Sequence, residues 1–284
     1  MTKGETSSSH LRLRNQALSL QKPAVMGILN TTPDSFSDGG KFESKERALQ
    51  RIGEMIDEGA TIIDIGGEST RPGSDPVSEK TEMERVLPVL ERALSDFEGT
   101  IFSVDTTKFR VAEEALKLGA HIINDISGLK KEPRLKDLCY QYKAGYVLMH
   151  SQGDPQTMQK NPVYKNVIDE ISCFFDERLT TLHDAGVEAV IIDPGIGFGK
   201  TLEHNLKIVD GLQSFKRFNV PVLVGASRKS MIGKILGEKP ADERLAGTIA
   251  VHYHCLMNGA NILRVHDVSE AVDSIKIFEA LNKA

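Results

Sequence analysis

One unit, repeated along the chain, limits the folds open to it more than any other feature. A stretch with helical apolar spacing ends at a glycine, a short β-prone run follows, and the run ends on a polar side chain. Gly59 leads ATIIDIGG, Gly99 leads TIFSVD, Gly119 leads AHIINDISG, Gly145 leads YVLMH, Gly186 leads VEAVIIDPG and Gly259 leads ANILRVHD. A glycine just past a helix adopts the left-handed conformation at little cost, so each reads as a helix end before a strand. The apolar runs do not alternate with polar residues, which predicts strands buried on both faces and hence a parallel sheet. Two further runs complete the set: Ala24–Leu29, ending at Asn30, and Val220–Val224, ending at Gly225. Helical spacing covers approximately Lys45–Asp57, Glu79–Asp96, Lys108–Leu118, Arg134–Tyr142, Val167–Ala185, His204–Leu212, Asp242–Met257 and Ser269–Ala280. Eight strands alternating with eight helices over roughly 260 residues predict an α/β fold of the (β/α)8 TIM-barrel type, which uses about 250. A doubly wound open sheet would place a Gly-rich dinucleotide turn after the first strand, and GILNTTPDSF is not one. Ahead of the barrel, LRLR (Leu11–Arg14) and LSL (Leu18–Leu20) alternate around Asn15-Gln16 and predict a β-hairpin over the barrel bottom. No composition break follows, so residues 1–23 form a tail and hairpin and residues 24–284 one barrel domain.

Composition narrows the partners. Lys and Arg total 35 against 40 Asp and Glu, a formal net charge of −5. That argues against a general nucleic-acid binder, because phosphate backbones select basic surfaces. Cys139, Cys173 and Cys255 are odd in number and far apart, which predicts free thiols rather than a disulfide framework or structural zinc site. MTKGETSSSH has no apolar core of a signal peptide, and no apolar run approaches the ~18 residues of a membrane span. The expectation is a soluble cytoplasmic protein with no membrane partner.

In barrel enzymes chemistry sits at the C-terminal ends of the strands. Those ends are, in order, Asn30, Asp64, Asp105, Asn124, His150, Asp193, Gly225, and Arg264 with His266. An unpaired buried polar group costs on the order of 1–3 kcal/mol, so Asp105, Asn124 and Asp193 are expected to converge on a ligand. Asp64 has two readings: the same site, or a bond within its own GGES turn. Loops Asn30–Phe42 and Gly66–Ser78 exceed the usual length and mix Gly, Pro and Ser with charges, as substrate-covering loops do. GIGFGKT (Gly195–Thr201) suggests a phosphate loop but fails the Walker A pattern at Pro194 and the GxGxxG pattern at Lys200. His252 and His254, two apart on a helix, diverge by about 200° and cannot share a metal. His121, His183 and His204 read as packing or surface residues. In SRKSMIGKILG (Ser227–Gly237) a short helix is expected to start at Ser230, where its N–H groups suit an anion, with Arg228 and Lys229 adding positive charge. Arg264 and His266 would face the same corner. An anion held there, beside Asp193, Asp105 and Asn124, leaves room for a flat heterocycle with a 2-amino-pyrimidinone edge.

MGILNTTPDSFSDGGKF, GATIIDIGGESTRPG, FSVDTTK, INDISG, LMHSQGDPQTMQ, IIDPGIGFGKTLEHN, GASRKSMIG, RLAGTIA and LRVHDV, in this order from Met26 to Val268, resemble the dihydropteroate synthase family. No motif departs from the family pattern, and only residues 1–23 carry nothing diagnostic. The resemblance implies condensation of (7,8-dihydropterin-6-yl)methyl diphosphate with 4-aminobenzoate, giving dihydropteroate and diphosphate in folate synthesis. It implies Mg²⁺ at Asn30 with the diphosphate. Pterin contacts would come from Asp105, Asn124, Asp193 and Lys229, and diphosphate contacts from Arg71, Arg264 and His266. An aminobenzoate pocket would comprise Thr70, Phe36, Pro72, Phe198 and Ser230. Asp34 would belong to a first loop that closes over the site, joining Asp105, Lys229, Arg264 and His266 in catalysis. No protein nucleophile is needed, since diphosphate departure leaves a cation delocalised into the pterin, open to the arylamine and stabilised by Asp105. A homodimer through helices near strands 7 and 8 is also implied. A methyltetrahydrofolate-dependent methyltransferase on the same barrel, or a pterin-binding paralogue without turnover, would share Asp105, Asn124 and Asp193. The NTTPDSFSDGG loop and SRKS turn set the synthase apart from the methyltransferase.

Overall fold

Every glycine-led run forms a parallel strand. The computed structural model describes residues 10–32, 41–69, 74–153, 158 and 161–283. An antiparallel hairpin, β1 (His10–Leu13) and β2 (Gln16–Ser19), comes first. The barrel strands are β3 (Ala24–Asn30), β4 (Ile62–Gly66), β5 (Ile101–Asp105), β6 (Ile122–Asp125), β7 (Gly145–Met149), β8 (Val190–Asp193), β9 (Leu223–Val224) and β10 (Ile262–Val265). They hydrogen-bond in the order β8-β7-β6-β5-β4-β3-β10-β9. An isolated bridge between Ile192 and Val222 joins the two ends, supported by Ile192 N–H donating to the Pro221 carbonyl at 2.9 Å. The strand expected over Val220–Val224 is cut to two residues. Pro221 has no N–H, and the Val222 N–H goes to Asn261 Oδ1 at 2.9 Å.

The helices are α1 (Lys41–Asp57), α2 (Glu79–Asp96), α3 (Phe109–Leu118), α4 (Leu135–Tyr142), α5 (Val167–Asp184), α6 (Leu202–Asp210), α7 (Ser230–Ile235), α8 (Leu245–Met257) and α9 (Val268–Leu281). α6 starts earlier than the spacing suggests because Thr201 and His204 form a reciprocal capping box. α8 starts later, because Ala241–Glu243 winds as a separate 3-10 turn after Pro240.

Alternation along the strands divides the core. Outward-facing Ile63, Phe102, Ile123, Tyr146, Ile192, Val224 and Leu263 pack beneath the helices. Inward-facing Met26, Ile62, Ile101, Ile122, Val147, Ile191, Leu223 and Ile262 form a second cluster with Leu11, Leu13, Leu18 and Leu20 of the hairpin. The hairpin therefore plugs the barrel bottom, as expected, but its turn is Arg14-Asn15, with Gln16 already paired to Leu13. Arg14 takes a positive φ of 51° there, and its guanidinium donates to the Leu116 carbonyl at the end of α3.

The plug also explains Gly145, which does not end a helix. Lys143 is the left-handed residue after α4, whereas Gly59, Gly99, Gly119, Gly186 and Gly259 do have positive φ. A Cβ on Gly145 would lie 2.7 Å from Leu13 Cδ2, so a side chain would collide with the plug. All three cysteines are free, with Cys139 and Cys255 buried. Among the described residues no helix is long and apolar enough to cross a membrane.

Candidate active site

The parity that lines the lower barrel with aliphatic side chains places polar ones on the same inward face near the strand ends. Arg264 of β10 projects across the barrel toward β4 and β5. Its Nε donates to Asp64 Oδ2 at 2.7 Å and its Nη2 to Asp105 Oδ2 at 2.9 Å. Asp64 also accepts from Asn124 Nδ2 at 2.9 Å. Asp64 is fully buried and has no role in the GGES turn, which settles its two readings in favour of the site. The adjacent Asp125 points outward instead, accepting from the Ser127 and Leu129 N–H groups and from the Tyr146 hydroxyl. Burial pushes the Asp105 carboxyl up to about 7, against the opposing pull of Arg264.

Asp193 ends β8. Its Oδ1 accepts from Gly195 N–H at 2.7 Å, and burial raises its pKa despite that bond and the nearby Lys229 and Arg264. Gly225, after β9, leaves the space between Asp193 and Arg264: a Cβ there would come within 4.0 Å of Asp193 Oδ2 and 3.9 Å of Arg264 Cβ. Lys229 precedes α7, and its Nζ stands 4.1 Å over the Phe198 ring. Burial, then Arg264, brings its ammonium down to about 8. Phe198 itself packs with Met149 and Met158. Ser230 opens α7 and is exposed.

His266 follows β10. Its N–H donates to Ser227 Oγ at 3.2 Å, and its Nδ1 lies 3.0 Å from the same hydroxyl. Burial, helped by Arg264 and Arg228, lowers its pKa to about 4, so without a ligand it is neutral rather than the cation the sequence suggests. Arg228 is likewise no free charge: it is forked onto Asp267 through Nε at 3.0 Å and through Nη2. Asn30, at the end of β3, turns its amide toward the β4–β5 side, where its Oδ1 would stand 3.9 Å from a Cβ on Gly66. Asp34, Phe36, Thr70, Arg71 and Pro72 lie outside the described residues.

The structure thus brings Asp105, Asn124, Asp193, Lys229, Arg264 and His266 to one rim with Phe198 beside them. A wider cleft of about 860 Å³ opens at the opposite end of the barrel, between Arg14, Phe97, His121 and Tyr142. Its polar groups serve the fold, with Arg14 on helix-end carbonyls and His121 Nδ1 accepting from Phe102 N–H at 3.1 Å.

A family model described as "pterin binding enzyme" matches residues 26–266. The dihydropteroate synthase of Escherichia coli K12 is 48% identical over 266 residues, covering 93% of each chain. The chain belongs to the dihydropteroate synthase family. These relatives are transferases of folate synthesis, which takes the place of the methyltransferase reading. A Yersinia pestis dihydropteroate synthase in a sulfonamide drug complex superposes with a TM-score of 0.91 at 44% identity, covering 97% of this chain and all of that one. The Xanthomonas albilineans enzyme solved with 4-aminobenzoic acid gives 0.91 at 38% identity, over 98% of this chain and all of that one.

Sequence reading left Asp64 open and missed Ser227. Strand parity identifies Asp64, which shares the inward face of β4 with Ile62. Ser227 carries no pattern of its own and is found only through His266. Replacing Asp64 by Ala leaves the half-buried Arg264 with one carboxylate and strands the buried Asn124 amide. Urea unfolding of Asp64→Ala is expected to show a loss of about 3–5 kcal/mol, the cost of breaking a buried ion pair, and a loss under about 1 kcal/mol would contradict the pairing.

Proposed function

We propose that this chain condenses (7,8-dihydropterin-6-yl)methyl diphosphate with 4-aminobenzoate to give 7,8-dihydropteroate and diphosphate. The observation that carries this reading is the Arg264 bridge to Asp64 and Asp105 on the rim that also holds Asp193 and Lys229. A guanidinium has five N–H donors, and the two carboxylates engage Nε and Nη2 only, so Arg264 can receive an anion while still held. His266 stands beside it, and a neighbouring anion favours its protonated form, turning a neutral ring into a second charged donor. Both would offset charge building on the departing diphosphate.

Asp193 retains acceptor capacity beyond its bond to Gly195, and one carboxylate facing adjacent N–H groups suits a pterin amino edge. Asn124, tied through its Nδ2 to Asp64, keeps its carbonyl oxygen for the same ring, and Lys229 offers a donor from the opposite side. Asp105 is the carboxylate that would stabilise the cation left on the substrate methylene. The aminobenzoate would lie along Phe198 toward Ser230, with Phe36, Thr70 and Pro72 completing its pocket, Arg71 joining Arg264 and His266 at the diphosphate, and Asp34 in the covering loop.

For Mg²⁺ the fit rests on Asn30. It offers a hard amide oxygen at the end of β3, two strands from Asp105, with no hydrogen bond to that amide among the described residues. Magnesium keeps several waters and takes its remaining ligands from substrate phosphates, so a single oxygen donor is sufficient. When bound it would neutralise diphosphate charge as a Lewis acid.

A homodimer is supported by the face near β9 and β10. α8 is apolar nearly all round, which suits a helix covered on both sides, and Ile235, Leu236 and Met257 are exposed there. Sedimentation is expected to give twice the chain mass of 31.2 kDa at micromolar concentration, and a single-chain mass would remove the dimer. Free thiols, two of them buried, suit a cytoplasmic setting.

The reading is tested by following diphosphate release from the pterin substrate with 4-aminobenzoate and magnesium each present or omitted. Release is expected to depend on both, and release that ignores aminobenzoate would overturn the synthase reading. In the same assay Arg264→Ala is expected to lower kcat/KM by about 10²–10³-fold, as for loss of a preorganised donor, and an unchanged value would deny Arg264 its role.

A further inference from the structure

The loop after β8 is held from within by a lysine near its end, one residue before the Thr201 cap of α6. Lys200 is 3% exposed, and its Nζ lies 2.9 Å from the Gly195 carbonyl, 3.0 Å from that of Phe198 and 3.2 Å from that of His150, with His150 Nδ1 at 3.1 Å. An ammonium has three N–H donors, so four acceptors share them and none is left for a phosphate. This is the physical reason the GIGFGKT stretch is not an anion loop. Gly195 and Gly199 let the loop press onto the exit of β7: a Cβ would fall 1.9 Å from the His150 carbonyl at the first and 2.1 Å from the Gln152 carbonyl at the second. The Tyr164 hydroxyl donates to the Gly199 carbonyl at 3.0 Å and closes the outer side.

Two groups that face substrate ride on this loop. The Gly195 N–H orients Asp193 at 2.7 Å, and the Phe198 ring lies beneath Lys229. The Lys200 ammonium grips the carbonyl of each of those two residues, so one charge sets the pterin side and the aminobenzoate side together.

We propose that Lys200 is a positioning residue of the reaction, clamping the β8 loop so that Asp193 and Phe198 are held in register for pterin and aminobenzoate. The proposal rests on the synthase reading above. Charges around the clamp support it. Asp193 favours the ammonium, Lys130 and Lys229 oppose it, and the His150 ring, lowered to about 2 by burial and Lys200, is neutral. Burial dominates and brings Lys200 down to about 7. The neutral amine keeps two donors and cannot hold all its acceptors, so the clamp loosens as pH rises through that value. Arginine at this position would stay charged throughout.

The test uses the full chain with wild type, Lys200→Met and Lys200→Arg, measuring kcat and KM for both substrates between pH 6 and 9. Lys200→Met is expected to raise the KM for 4-aminobenzoate about tenfold or more, since misplacing a pocket by about 1 Å can cost up to 10²-fold. It should also remove the wild-type rise of that KM above neutral pH. Lys200→Arg is expected to restore much of the binding and to flatten the pH dependence. A third readout needs no variant: binding of 4-aminobenzoate to the wild type should raise the titration midpoint of the Lys200 ammonium, followed by nitrogen NMR, by thermodynamic reciprocity. Variants within twofold of wild type with the same pH profile, or an unmoved midpoint, would overturn the clamp while leaving the synthase reading intact. Loss of aminobenzoate-dependent turnover in the wild type would overturn both.

Discussion

Arg264, half-buried between the carboxylates of Asp64 and Asp105, makes the interaction on which the upper barrel depends. Three strands that are not all neighbours in the sheet meet in it, and Asn124 brings in a fourth through Asp64. Such a buried network is not a strong source of stability, because desolvation offsets most of the attraction. Aliphatic side chains continuing the layer of Met26, Ile62 and Ile262 would pack the same space. A charged layer above an apolar one is better understood as an arrangement for a ligand, with the hairpin leucines closing the apolar end.

In the free protein the rim is close to electrically balanced. Arg264 faces two carboxylates, Arg228 is tied to Asp267, and burial leaves His266 neutral. Asp105 and Lys229 are drawn toward neutral pH from opposite directions, to about 7 and about 8. The net charge of −5 is therefore no guide to the ligand. What matters is a local set of groups whose protonation an incoming anion shifts, within an enclosed site where such shifts carry more energy than in water. His266 is the clearest case, since the Ser227 hydroxyl that satisfies its neutral ring could equally accept from the charged one.

Much of the fold was legible because its determinants are local. Helix-ending glycines at 59, 99, 119, 186 and 259 and unbroken apolar runs mark the parallel strands without tertiary information. Gly145 looked like another member but is small for a non-local reason, the approach of Leu13 from the hairpin. β9 was overestimated because its hydrogen bonds depend on Asn261, distant in sequence. The rim residues were legible as strand-end polar groups, but their pairing was not: that Asp64 joins Arg264, that Arg228 turns away to Asp267, and that Lys200 binds carbonyls rather than phosphate are all consequences of which strands lie side by side.

The central claim is that an anion arriving beside Arg264 changes the protonation of the rim. Calorimetric titration with sulfate, fully ionised across the neutral range, in buffers of different ionisation enthalpy counts the protons exchanged on binding. The account predicts net proton uptake near pH 7, chiefly at Asp105, which titrates nearest that pH, and strongly reduced in Asp105→Asn, because a bound anion raises the pKa of every group around it. Binding with no proton exchange, or with proton release, would contradict it.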